Sequence, residues 1–173
     1  AGYESVADSP EERPDALVVA FDKTLTYERL CRAAWWAKEG VPYIATNPDL
    51  VCPTEFGSVP DCGSVSQMLC NATGRMPRFI GKPEPLMPLL GMEMAGCAPQ
   101  ETAVVGDRIY TDVKTGINAG VTSVLVLSGE TTLETADAVA EDARTNPSPE
   151  FFPPDLICRD IKELGELLLM SRN

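Results

Sequence analysis

The chain has 173 residues, enough for one good core or two small lobes, with 26 acidic against 14 basic residues, a formal net charge of −12 and no histidine. Such a surface repels nucleic acid and anionic membrane, and no Arg/Lys cluster offsets it. No apolar run reaches the length of a membrane span, no signal-peptide pattern opens the chain, and without histidine neither a Ser-His-Asp nor a Cys-His relay can form.

Acid–base work therefore falls to carboxylates, lysine, tyrosine or water. A phosphorylated small molecule would also be repelled unless a local cation sits in the site, which points to a metal. The six cysteines (Cys31, Cys52, Cys62, Cys70, Cys97 and Cys158) form no C-x-x-C pair. They read as reduced thiols in a cytoplasmic protein rather than as a zinc site, and the sequon at Asn71-Ala72-Thr73 is then chance.

Residues 1–14 are acidic and polar and predict a loose lead-in. Ala16 to Phe21 reads as a buried strand ending at Asp22. Thr26 followed by Glu28 marks a helix start, Leu30, Ala33, Ala34 and Ala37 recur at helical spacing, and Gly40 stops the helix. The adjacent Trp35 and Trp36 cannot both face one core. Val41 to Ala45 predicts a second strand, which delivers Thr46, Asn47 and Asp49 to a loop. Residues 50–62 read as irregular, 64–72 as a short helix and 78–80 as a short strand running into Gly81-Lys82-Pro83.

A helix is predicted over 86–95, a strand over 102–105, a helix over 111–119 stopped by Gly120, and a strand over 122–127. Residues 136–154, acidic and rich in proline, read as a surface loop before a strand at 156–158 and a closing helix over 161–169. Strands alternating with helices at this spacing imply an α/β fold with a parallel sheet covered on both faces. A boundary near Gly81 would divide the chain into two lobes.

The stretch Thr102 to Gly120 carries most of the chemistry. Asp107 follows the apolar run TAVVG at a strand's carboxyl end, where open parallel sheets place their ligands, and a carboxylate there can ligate magnesium. Asp112 lies near the next helix start and can face the same pocket. Lys82, held between glycine and proline at another strand end, can neutralise phosphate charge. The plainer reading makes Asp107 a turn former, Asp112 a helix cap and Lys82 a surface lysine.

Taken together, GKP at 81–83, GDRxxTD at 106–112, GxxAG at 116–120 and VLVLSG at 124–129 resemble the C-terminal half of a haloacid-dehalogenase (HAD) superfamily phosphatase. The likeness is to the subgroup of NagD-type, p-nitrophenyl and phosphoglycolate phosphatases, and it runs over roughly residues 15–170. It implies an α/β, HAD-like fold: a partial three-layer α/β/α parallel-sheet core over residues 81–173, with an α/β cap domain over 1–80. The implied activity is a Mg2+-dependent phosphomonoesterase acting on a small phosphorylated metabolite or p-nitrophenyl phosphate, with pairing of two copies through the cap.

The resemblance assigns Lys82 as the catalytic lysine, Asp107 as the metal ligand, Asp112 as the supporting acid and Arg108 as the residue following that ligand, a candidate substrate contact. In the family, an aspartate of a DxDG segment lying before the cap attacks phosphorus. The present sequence opens essentially at the cap, so the chain is expected to be a truncated, weakly active or inactive form, or a non-enzymatic remnant acting as an interaction module. One substitute presents itself. Asp22-Lys23-Thr24-Leu25-Thr26 resembles the phosphorylated segment of cation-pumping ATPases, and with Thr46, Asn47 and Asp49 as phosphate-binding residues it would make a compact, capless phosphatase with Asp22 as nucleophile. Against it, Thr24 stands where an acid–base aspartate belongs and Leu25 where a glycine is usual.

Overall fold

The computed structural model describes residues 12–170, so the part of the lead-in up to position 11 lies outside the described residues. The chain divides into two compact units, one up to Gly81 and one from Lys82.

In the N-terminal unit the order is β1 (Leu17–Val19), α1 (Tyr27–Lys38), β2 (Tyr43–Ala45), β3 (Val51–Thr54), β4 (Gly57–Pro60), α2 (Cys62–Thr73) and β5 (Arg78–Phe79). β1, β2 and β5 form a parallel sheet in that order, with Leu17 opposite Tyr43 and Ile44 opposite Arg78. α1 begins where the Thr26 hydroxyl accepts the Arg29 amide, satisfying one of the N–H groups a helix start leaves open. α2 is capped by Asp61, and its end is turned by Gly74 at φ 73°, a conformation that costs any other residue a Cβ clash.

The helices bury Ala37, Cys62 and Leu69 against Val19, Tyr43 and Ala45 of the strands. A fully buried leucine such as Leu69 is worth about 1.5–3 kcal/mol in apolar transfer alone. Trp36 is half-buried while Trp35 stays 62% exposed, as adjacent helical positions require.

Residues 50–62, read as irregular, contain the antiparallel hairpin β3–β4 instead. Its signal is masked because Pro53 and Pro60 break the usual strand composition. A two-stranded ribbon tolerates proline where the missing N–H points outward. The turn is set by Gly57 at φ 111° and by the Thr54 hydroxyl, which accepts from the Phe56 amide and donates to the Gly57 carbonyl.

The C-terminal unit contains α3 (Leu86–Ala95), a 3-10 turn, β6 (Ala103–Gly106), a π-type turn over Ile109–Val113 that runs into α4 (Lys114–Ala119), β7 (Thr122–Val126), α5 (Leu133–Thr145), β8 (Leu156–Cys158) and α6 (Ile161–Met170). The strands are parallel in the order β6-β7-β8. Central β7 supplies Val124 and Leu125, both buried, with Ile109, Val113 and Ala136 packed on one side and Cys158 and Leu164 on the other. α4 approaches β7 closely at Gly116, where an added Cβ would come within 2.9 Å of the Ser123 side chain.

The surface loop expected over 136–154 is corrected in its first half by α5. Thr132 caps this helix through the Thr135 amide, and Ala136 and Val139, three apart, turn inward. Its acidic exposed face hid that short apolar stripe. The irregular stretch begins only at Asn146, where the prolines start. Both units are α/β, with parallel sheets in each and one antiparallel ribbon.

Candidate active site

β6 ends at Gly106, so the next residue, Asp107, leaves the sheet at the carboxyl end of the strand. The turn of 109–113 then brings Asp112 back beneath it. Asp112 is 5% exposed, and Gly106 has no room for a Cβ because the Asp112 carboxyl lies over it. A buried carboxylate must be compensated. Here Asp112 Oδ1 accepts from Lys82 Nζ at 2.5 Å and Oδ2 accepts the Arg108 backbone amide at 3.1 Å. Asp112 is therefore part of the turn's interior rather than a helix cap.

Lys82 reaches this carboxylate with its side chain 56% exposed, so the ammonium is held on one side and open on the other. The segment carrying it contains a cis Lys82–Pro83 peptide, and the Pro83 carbonyl accepts from Asn118 of α4 at 2.8 Å.

Asp107 is half-buried and tied differently. Its Oδ2 accepts the Glu130 amide at 2.8 Å, and its carbonyl accepts the Thr131 amide at 3.1 Å. Both donors come from the loop after β7, which Gly129 lets approach; a Cβ at Gly129 would strike the Asp107 carboxylate. Among the described residues Oδ1 takes no hydrogen bond. Arg108, beside it, directs Nε to Glu130 Oε2 at 2.8 Å, and Glu130 Oε1 accepts from the Tyr110 hydroxyl at 2.8 Å. A groove of about 570 Å3 in the same unit, lined by Met87, Met92, Val104, Thr115 and Lys82, is mainly apolar and does not include Asp107.

In the C-terminal unit Lys82 thus meets Asp112, which also accepts the Arg108 amide and packs against Gly106, the residue before Asp107. Asp22, Thr46, Asn47 and Asp49 belong to the N-terminal unit and serve local contacts there. Asp22 Oδ1 accepts both the amide and the hydroxyl of Thr24 at 2.7 Å, and Oδ2 pairs with Arg29 at 3.2 Å. The Thr24 hydroxyl, its amide and then Arg29 hold the Asp22 carboxyl below its ordinary value. β1 ends three residues earlier than a strand running up to Asp22 would require. Asn47 donates to Asp49 at 3.0 Å and to Asp61 at 3.4 Å, and the Thr46 hydroxyl faces the Asn47 side chain at 3.4 Å.

Sequence reasoning missed Tyr110 and, just past the run ending at Gly129, Glu130 with Thr131. The run SGET directly after an apolar strand could have pointed to them, since it too leaves the sheet at a carboxyl end.

A Mg2+ ion is bound through one or two carboxylates together with waters and substrate phosphate oxygens. Asp107 suits that role: it is a hard oxygen donor with Oδ1 open and Oδ2 fixed. No group of three or more His, Cys, Asp or Glu side chains able to hold a metal ion occurs among the described residues, so the protein side of such a shell would be thin.

A parallel sheet with a carboxylate at one strand end and a lysine clamped to a second carboxylate defines a class, α/β proteins with a charged ligand site at the carboxyl ends of their strands. Comparison with known proteins narrows it. Residues 79–164 match the HAD-hydrolase-like family model. An acid sugar phosphatase of Staphylococcus aureus is 39% identical over 124 residues, 72% of this chain and 48% of the relative. The 4-nitrophenylphosphatase of Thermotoga maritima superposes with a TM-score of 0.75 at 43% identity, covering 91% of this chain and 56% of that one. The p-nitrophenyl phosphatase of Archaeoglobus fulgidus gives 0.75 at 34% identity, with 88% and 56% covered. The chain belongs to the HAD-like hydrolases, in the subgroup of NagD and the p-nitrophenyl phosphatases. It spans about half the length of the relatives it matches. Among the described residues no helix is long and apolar enough to cross a membrane.

Proposed function

We propose that this protein works in a Mg2+-dependent phosphomonoesterase acting on a small phosphorylated metabolite, with the C-terminal unit as the electrostatic half of the phosphoryl site and the N-terminal unit as the cap that selects the leaving group. The observation that carries the reading is the Lys82–Asp112 pair packed against Gly106, one residue before Asp107 at the carboxyl end of β6. The relatives support the substrate class: a sugar phosphatase and two nitrophenyl phosphatases.

Lys82 binds a phosphoryl oxygen through the face not used by Asp112. The buried Asp112 keeps the ammonium aimed, so the cation needs no reorganisation when negative charge gathers on the transferring oxygens. Asp107 would hold Mg2+, whose charge adds to that of the lysine at the same oxygens. Two copies would pair through the N-terminal unit, where Trp35 is exposed.

The attacking carboxylate is the part this chain does not obviously supply. Asp22 accepts the amide and hydroxyl of Thr24 on Oδ1 and pairs with Arg29 through Oδ2, contacts that stabilise its charge and weaken it as a nucleophile toward phosphorus. The chain alone is therefore expected to turn over little or no substrate, which also keeps a non-enzymatic interaction module as the second reading. Hydrolysis of p-nitrophenyl phosphate by the purified chain, with and without Mg2+, tests this. Robust activity abolished by Asp22→Asn would replace the present reading with a compact enzyme.

A further inference from the structure

Glu130 lies outside the residues that the family motifs pick out, yet three separate contacts converge on it. Its amide holds Asp107 Oδ2 at 2.8 Å, and its two carboxylate oxygens take Arg108 Nε and the Tyr110 hydroxyl, each at 2.8 Å. Both partners follow Asp107 closely in the chain: Arg108 is the next residue, and Tyr110 lies in the turn that carries Asp112. The next amide, that of Thr131, closes on the Asp107 carbonyl at 3.1 Å. Gly129 permits the approach, because a side chain there would collide with the Asp107 carboxylate.

We infer that Glu130 is a positioning residue for the metal carboxylate: its side chain latches the loop after β7 to Arg108 and Tyr110, so that its amide fixes Asp107 Oδ2 and leaves Oδ1 as the oxygen offered to the cation. The inference rests on the reading of Asp107 as a metal ligand. A carboxylate on a strand end can rotate between orientations. Tying one oxygen to a backbone amide removes that freedom before the metal arrives. Partners that orient a ligand in this way typically account for about 10–100-fold in metal affinity. The ion pair with Glu130 also engages the Nε edge of Arg108, so the guanidinium does more at this site than face substrate.

Mn2+ binding to the 173-residue chain, followed by water-proton relaxation, tests the inference with no need for turnover. Glu130→Ala is expected to weaken binding by roughly 10-fold or more. Glu130→Gln, which keeps the acceptor for Tyr110 and the shape of the side chain, should recover part of the loss. Glu134→Gln removes a nearby exposed charge without touching Asp107 and should bind as the parent does, separating positioning from net charge. If Glu130→Ala binds Mn2+ like the parent while Asp107→Asn does not bind, the positioning role is overturned and the metal reading stands. If the parent fails to bind, or Asp107→Asn binds equally well, the metal reading falls and this inference with it. Should Glu130→Ala fail to fold by circular dichroism, Tyr110→Phe and Glu130→Gln carry the comparison; both binding like the parent would overturn the inference.

Discussion

Replacing a glycine by alanine at two places in the C-terminal unit should have opposite effects, and the contrast isolates what the site asks of the fold. At Gly106 an added Cβ lies inside the contact distance of the Asp112 carboxyl, which is buried and cannot swing into solvent. One of two things must give: the strand end, at about 1–3 kcal/mol for overpacking, or the Asp112 side chain. Moving Asp112 forfeits its hydrogen bond from Lys82 and releases the Arg108 amide. A hydrogen bond to a charged group is worth about 1.5–3 kcal/mol, and the exposed position of Lys82 places this one at the lower end. Gly106→Ala is therefore expected to cost about 2–4 kcal/mol, a fall in Tm of roughly 5–15 °C for a chain of this size.

Gly91, in the middle of α3, has nothing within 4 Å of the position a Cβ would take. Alanine there removes a helix-interior glycine and should stabilise by about 0.5–1 kcal/mol. Thermal unfolding by circular dichroism measures both, and hydrogen exchange at the Arg108 amide reports whether Asp112 has moved. A Gly106→Ala variant that melts with the parent and keeps Arg108 protected would refute the claim that Asp112 is packed against the strand end.

Other expectations follow from individual contacts. Burial pushes the Tyr43 phenol up to about 12, so on a spectrophotometric titration one tyrosine should ionise well above the ordinary value of 10.0. Because the unfolded phenol loses its proton first, near pH 10, stability should decline as pH rises from there toward 12; a chain equally stable across that window would contradict the assignment. Asp22, held low by Thr24 and then Arg29, contributes stability that is present above its ordinary value of 3.8 and is lost as pH falls through its lower folded value. In a carboxyl NMR titration Thr24→Val should raise its midpoint more than Arg29→Ala does. Asp155 Oδ2 accepts from both the amide and the hydroxyl of Ser123, each at 2.8 Å, and Ser123 is wholly buried. Asp155→Ala should cost about 1–3 kcal/mol, seen as a lower urea midpoint at unchanged slope, whereas the exposed Asp137→Ala should stay within about 0.5 kcal/mol.

Apolar periodicity and strand-end chemistry made much of the fold readable from the chain itself. The runs before Asp107 and after Gly120 are continuous and rich in β-branched residues, and they emerged as β6 and β7, although β6, at the edge of the sheet, leaves Ala103 and Val105 exposed where a strand covered on both faces was expected. Lys82, Asp107 and Asp112 were recognisable as a group because residue type and strand-end position coincide. The hairpin β3–β4 was not recognisable, because a ribbon with two prolines and little alternation carries no period-2 signal. α5 was hidden by acidic residues on its outer face, with only Ala136 and Val139 turned inward. Glu130 was missed for a different reason. Its importance lies in three contacts with residues about twenty positions earlier, and no local pattern encodes a pairing at that separation.

The two aspartates of one short motif end up in unlike surroundings, and that difference decides their chemistry. Asp112 is enclosed and has a donor on each oxygen, one of them the lysine. Its burial keeps it turned toward these donors, so on the proposed reading its effect on substrate would pass through the orientation of Lys82. Asp107, five residues earlier, is only half-buried and has its two carboxylate oxygens divided, one fixed by a backbone amide and one open. An open oxygen on an otherwise immobilised carboxylate is what a hard divalent cation requires, because the ion must shed water to bind and gains little from a ligand that still has to be ordered. Exchanging the two environments would leave the same residue types at the same spacing with neither the clamp on Lys82 nor the open oxygen. The spacing matters because the turn at 109–113 carries the chain from the strand tip back beneath it, so that one carboxylate faces out and the other is sealed against Gly106.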